Sequence, residues 1–344
     1  MTGRSRLQAA MERREADRVP LWCQLSLGHV LAEAFPPARP PRTVAQLTAA
    51  EYALTQRYGF DGLLLHYPLA SPETQLPASF EEAASLPPAP GPGESLAGVD
   101  PDSWERPGPQ PEPPGRTSYH LAREIVGWDY HIGGWTGDGF SFAVQWFRSL
   151  EQAMLSLLEH PDRFQALVRY FDCVSVASAL AQSRRGVDSL HISSPYAGAS
   201  FISPHAYQRF VLPSVRRLAE ALKPTATFSY LHTCGFVGDR LEMMADTGVD
   251  GIECMDPPPL GDVELGEAKR RVGDRVFLKG NLDSVNLLLR GTDEQVARAV
   301  RACLQAGMPG GGYILSTACS VAPEVPSARL RRLLPLVEES GRYG

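Results

Sequence analysis

A histidine and a cysteine stand two residues apart in His232-Thr233-Cys234-Gly235, at the end of an apolar, β-rich run, and Cys319 ends a similar run 85 residues later. Side chains on a strand alternate with a period of two, so His232 and Cys234 point to one side and Thr233 to the other. If Cys319 reaches the same point from a parallel strand, one nitrogen and two sulfurs meet. That donor set suits Zn2+. Gly235 strengthens the pattern, because a glycine permits a sharp turn from strand into loop. The competing reading makes both cysteines small buried fillers and has His232 bond a backbone carbonyl.

Glu253 is the natural fourth group. In Gly251-Ile252-Glu253-Cys254-Met255, Ile252 and Cys254 share the face that meets the helices, which assigns Cys254 to packing and turns Glu253 inward. A buried carboxylate is expensive unless paired or metal-bound. Glu253 could ligate zinc when no substrate is present, or orient His232 by a hydrogen bond and act as a base. Three protein ligands with an exchangeable fourth position describe a catalytic zinc site. Such a site can activate water, or bind a thiol that then loses its proton. Thiolate ligands donate charge to the ion and make it a poorer Lewis acid, so a sulfur-rich set favours thiol alkylation.

Further candidates surround this set. Asn281 and Asp283, two apart, can share a face and touch a ligand; a turn-forming Asn and a helix-capping Asp are the alternative. The run from Gly133 to Gly139 lacks the P-loop lysine spacing and reads as a close-approach wall of a cavity, with Trp135 within it. His66, Tyr67, His191 and Tyr196 lie near strand ends and could line the pocket, although a satisfied structural polar group is the better explanation of each.

The elements that must position these groups alternate. From about residue 186, short β-like runs (189–198, 226–235, 250–255, 276–283 and 312–319) are separated by amphipathic helical stretches. Ser203-Pro204 and Thr292-Asp293-Glu294 read as helix starts, Gly248 and Gly307 as stops. Strict alternation means parallel strands with right-handed crossovers. Upstream, 18–25 and 60–69 read as the first two strands around a helix near 43–58. Two more helices are expected around 148–159 and from Asp162 to about Arg184. Counting one strand near His131 gives eight, which predicts an α/β fold: a single (β/α)8 TIM barrel over residues 1–344, with its chemistry at the C-terminal strand ends. A doubly wound open sheet is the alternative, but no G-x-G-x-x-G follows the first strand. Twelve prolines between Pro72 and Pro114 exclude helix and central strand there. Residues 72–117 are expected to be an insertion after the second strand, loop-like over 86–115, followed by a hairpin around Ser118–Tyr130.

Composition sets the outer bounds. A chain of 344 residues, 43% hydrophobic and 21% charged, can bury a large core without disulfides. Six scattered cysteines read as free thiols of a cytoplasmic protein. A formal charge of −6 and no basic cluster argue against nucleic acid and against an anionic membrane surface. No apolar stretch reaches the roughly 20 residues of a membrane span, and the charged N-terminus lacks the core of a signal peptide. Oligomeric state stays open, a homodimer being one option.

These residues together resemble the uroporphyrinogen decarboxylase superfamily, in its zinc-dependent corrinoid:thiol methyltransferase branch. The resemblance covers most of the chain and is strongest over 189–335, in SPYAGASFISPHAYQRFVLPSVRRL, the H-T-C-G segment, DGIECMDPP, VFLKGNLD and GGYILSTACSVAPEVPSARL. It implies a (β/α)8 barrel, zinc on His232, Cys234 and Cys319, a small-molecule thiol held as thiolate, and a methyl group delivered by a corrinoid on a separate protein or domain. Any cobalamin is expected to come from a partner or from solution. The decarboxylases' N-terminal arginine-rich segment and acidic residue have no counterpart in LWCQLSLGHV and GLLLHYPLA. A many-carboxylate substrate would meet no cation there. A decarboxylase or lyase acting on a smaller acid, and a non-enzymatic corrinoid-handling partner, are the other readings.

Overall fold

Seven parallel strands, hydrogen-bonded in chain order, form one curled sheet: β1 (Gly62–Leu64), β2 (His131–Gly137), β3 (Ser189–Ser193), β4 (Phe228–Thr233), β5 (Gly251–Cys254), β6 (Phe277–Leu282) and β7 (Tyr313–Thr317). The computed structural model describes residues 1–36, 38–76, 93–106 and 115–344. The predicted helices stand between the strands, at Val44–Tyr58, Leu150–Glu159, Pro161–Arg185, Leu212–Leu222, Leu241–Ala245, Leu265–Val272 and Asp293–Gly307. Local chemistry fixes their ends. Thr43 with Gln46 and Thr292 with Gln295 form capping boxes, and Ser203 caps the turn that leads into Leu212–Leu222.

Residues 20–25 touch both outer strands. Leu315 N–H donates to the Pro20 carbonyl (2.9 Å), Trp22 N–H to that of Leu315 (3.0 Å) and Asp61 N–H to that of Leu21 (2.9 Å). The apolar pattern over 18–25 predicts a full strand. Among the described residues seven segments are ladder strands, and this one meets its neighbours by single bridges. Pro20 has no N–H to give, and the Leu21 N–H goes to the Asp61 carboxylate at 2.8 Å.

The hairpin expected around Ser118–Tyr130 is instead an α-helix, Ser118–Val126. Tyr119, Ala122 and Val126 recur at helical spacing and are buried, and Thr117 with His120 closes the first turn. Residues 77–92 and 107–114 lie outside the described residues, and with them most of the loop expected over 86–115. Between them, Trp104 packs edge-on against Tyr170, ring centres 5.2 Å apart.

The interior of the sheet is layered. Trp22, Tyr230, Phe277 and Ile314 fill its lower part with Leu7, Ala10 and Met11 from the N-terminal helix Gly3–Met11, which plugs that end. A larger apolar cluster fills the space between sheet and helices. No helix among the described residues is long and apolar enough to cross a membrane.

Candidate metal centre

His232 Nε2 lies 3.2 Å from Cys234 Sγ and 4.0 Å from Cys319 Sγ, and the two sulfurs are 3.7 Å apart. A tetrahedral zinc site with bonds of ~2.3 Å to sulfur and ~2.0–2.1 Å to nitrogen would separate its ligands by about 3.8 Å (S···S) and about 3.6 Å (S···N). The three donors therefore already stand at the edges of such a polyhedron. His232 is buried and both sulfurs are half-buried.

The strands produce this convergence directly. His232 belongs to β4, and Cys234 follows the strand on the same side. Gly235 then turns the chain at φ +79°, a left-handed conformation that glycine tolerates. The turn is held by Gly235 N–H donating to Asp256 Oδ2 (2.7 Å). Cys319 comes from the segment just beyond β7.

Register supplies the rest. His232 pairs with Glu253 on β5, and Glu253 with Lys279 on β6, so imidazole, carboxylate and ammonium form one row across three strands. Glu253 Oε2 accepts from His232 Nδ1 at 3.0 Å, on the ring edge opposite the sulfurs, and Oε1 accepts from Lys279 Nζ. Of the described groups whose ligand atoms all lie within 4.8 Å of one another, one is His232, Cys234 and Cys319, and the other is His191, His232 and Glu253. Glu253 thus meets the histidine from behind. The Lys279 ammonium also faces the rings of Trp22 (4.9 Å) and Tyr230 (5.6 Å).

Electrostatics follow from this crowding. Burial works against charge on His232, yet Cys234, Cys319 and Glu253 hold its pKa well above the ordinary histidine value. Burial would raise Glu253, but Lys279, His191 and His232 hold it well below the usual carboxylate range. Hydrogen bonding from Cys234 and Cys254, and the charge of His232, push the Cys319 thiol far down. His191, its ring tilted by 34° to that of His232 with centroids 4.7 Å apart, is pushed down to about 3 by burial, and its Nδ1 lies 3.3 Å from Glu253 Oε2.

Sequence reading placed Cys254 in packing and missed Lys279. Cys254 is buried, but Cys254 and Met255 adopt φ +82° and +53°, and this turn leads the Cys254 thiol to Asp256 Oδ2 at 3.2 Å. Burial first, then Cys234 and Cys319, raise its pKa well above the ordinary value. Lys279 carried a legible signal, since a lysine inside an apolar strand needs a partner.

The other candidates are distributed around the strand ends. Asn281 donates to the carbonyls of Met255 (2.9 Å) and Val263 (3.3 Å), pinning the left-handed turn after Glu253. Asp283 accepts from the N–H groups of Val285 and Asn286, both at 2.8 Å, and caps the turn that follows. Both line a cavity of about 580 Å³ that includes Leu265, Arg270, Ala299 and Cys303, on the helix side of the sheet. The two share a face, as their spacing allows, and that face is the helix side of the sheet. Trp135 Nε1 donates to the His66 carbonyl (3.0 Å), and both line a separate cavity of about 240 Å³ with Tyr67, Phe142 and Gln182. His66 Nδ1 is 2.6 Å from Glu51. Tyr196 packs edge-on against Phe201.

A curled parallel sheet with a sulfur-rich donor set at its C-terminal rim defines the class, and comparison with known proteins agrees. The chain belongs to the uroporphyrinogen decarboxylase (URO-D) family, which it matches over residues 2–340. It is 25% identical over 350 residues to the methylcobamide:CoM methyltransferase MtaA of Methanosarcina barkeri, covering 98% of each chain. It is 31% identical over 169 residues to the methylcobamide:CoM methyltransferase MtbA of Methanosarcina acetivorans, spanning 49% of this chain and 47% of that relative. In three dimensions it superposes on a methyltransferase from Methanosarcina mazei with a TM-score of 0.73 at 20% identity, over 98% of this chain and 99% of the other.

Proposed function

We propose that this chain is a zinc-dependent methyl (alkyl) transferase with a thiol acceptor, its methyl group supplied by a corrinoid on a partner or in solution. The observation that carries the reading is the convergence of His232 Nε2, Cys234 Sγ and Cys319 Sγ within 4.0 Å of one another. The methyltransferase relatives support the reaction class. We also infer that residues 20–25 serve as the first strand of a (β/α)8 ring.

When bound there, zinc supplies a Lewis acid that stabilises an acceptor thiol in its thiolate form near neutral pH. His232, Cys234 and Cys319 would hold the ion. Glu253 holds the Nδ1 proton of His232, so Nε2, which faces the sulfurs, would be the nitrogen that gives up its proton to ligate the ion. The lower aromatic layer closes the interior beneath this set, so an acceptor enters from the rim, where the half-buried sulfurs are reachable. Arg6 and Arg18 bind Asp61 at the opposite ends of the strands, away from the rim.

The test is methyl transfer from methylcobalamin to a panel of thiols, followed by the corrinoid's visible spectrum. Thiol-dependent demethylation is the expected result. No change with any thiol, together with release of carbon dioxide from small acids, would replace the reading with a decarboxylase.

A further inference from the structure

We infer that Lys279 is a positioning residue of the metal centre: a fixed internal cation that holds Glu253 against His232 and keeps that carboxylate from swinging onto the metal. The inference rests on the metal reading above and extends it to a residue two strands away from the histidine.

Packing alone does not call for a lysine here. Lys279 is 1% exposed, between the rings of Trp22 and Tyr230, where an apolar side chain of similar length would fill the same volume. Burying an ammonium carries a large desolvation cost, which only a close, well-oriented anion offsets. That anion is Glu253, also 1% exposed and the neighbour of Lys279 in the β5–β6 register.

The two oxygens of Glu253 have separate partners, Oε1 accepting from Lys279 Nζ and Oε2 from His232 Nδ1. With both engaged, the carboxylate is held behind the imidazole and the position beside the sulfurs stays open for an incoming thiol. Without the ammonium, Oε2 keeps its contacts with His232 Nδ1 (3.0 Å) and His191 Nδ1 (3.3 Å), while Oε1 is released and free to turn toward a cation. His191 Nδ1 lies 3.3 Å from Oε2, the oxygen His232 already holds, so Lys279 is the partner of Oε1. Lys279 stands at the far end of the row, with Glu253 between it and His232, so it acts through Glu253.

The experiment compares cobalt(II) binding by the full-length wild type, Lys279→Met, Glu253→Gln and the double variant, using chelator competition for affinity and the visible spectrum for coordination. Lys279→Met should change cobalt affinity by more than about threefold and shift the d–d bands, because a released Glu253 both loosens His232 and can add an oxygen ligand to the ion. In the Glu253→Gln background the same substitution should change affinity by less than threefold. Lys279→Met within threefold of wild type and with an unshifted spectrum overturns the inference, as does an undiminished effect in the Glu253→Gln background. Should Lys279→Met not fold, Glu253→Gln and the uncharged double variant carry the test: affinities within threefold support it, a larger gap overturns it. Wild type that holds no cobalt removes the metal reading and this inference together, whereas tight wild-type binding with a flat Lys279 series removes this inference alone.

Discussion

The sulfurs of Cys234 and Cys319 face each other at 3.7 Å, well beyond the ~2.05 Å of a disulfide and close to the edge of a tetrahedral zinc–thiolate site. Two thiols brought this close from sequence positions 85 apart, with an imidazole nitrogen beside them, form a ligand set. Purified protein is expected to carry about one zinc per chain. Cys234→Ser and Cys319→Ser should each lose it while circular dichroism and thermal unfolding stay near wild type, because both side chains sit at loop ends. Metal content that is far below stoichiometric and indifferent to these substitutions would refute the assignment.

The buried ion pair makes a separate claim on stability. Glu253→Leu strands the Lys279 ammonium in an apolar layer, and breaking a buried pair in this way costs about 3–5 kcal/mol. Replacing both, as Glu253→Leu with Lys279→Met, should recover most of that loss. Urea midpoints of the three proteins check it; a double variant less stable than the single would contradict the pairing.

Acid should destabilise the fold through His131, which lies far from the rim, against Trp22 and bonded to Ser189 at 2.7 Å. Burial pushes its pKa down to about 4 from the ordinary 6.5. Between those values the unfolded chain binds a proton that the folded chain refuses, so stability falls as pH drops through this window. One such proton is worth roughly 1.4 kcal/mol per pH unit inside the window. His131→Gln should flatten the pH dependence of thermal unfolding between about pH 6.5 and about pH 4.5; an unchanged slope would show that other groups dominate.

Gly198 approaches the metal-binding turn so closely that a Cβ built on it would lie 2.6 Å from the Cys234 carbonyl oxygen. Gly198→Ala should therefore displace the segment carrying Cys234, costing about 1–3 kcal/mol of stability and weakening zinc retention severalfold. Retention in a chelator challenge is the measurement, and wild-type behaviour would mean that the turn yields without moving the sulfur.

Much of this was legible in the sequence because it is local. Strand alternation put His232 and Cys234 on one side, and the β/α rhythm from residue 186 placed Glu253 and Cys319 at strand ends. Threonine and serine caps marked the helix starts. Partner choice across the sheet was not local. Lys279 looked like one residue of a strand until the β4–β5–β6 register set it in line with Glu253 and His232, since register is decided by pairing between distant segments. Asn281 and Asp283 share a face as their spacing allows, but which side of the sheet that face meets was decided only by the fold. Helical period in Tyr119, Ala122 and Val126 was hidden beside a proline-rich stretch that suggested a hairpin. The amino-acid order thus determined which groups could do chemistry and that parallel strands would carry them. Only the folded chain decided which groups meet, because distances between side chains remote in sequence depend on how strands pair and on where single residues turn the backbone.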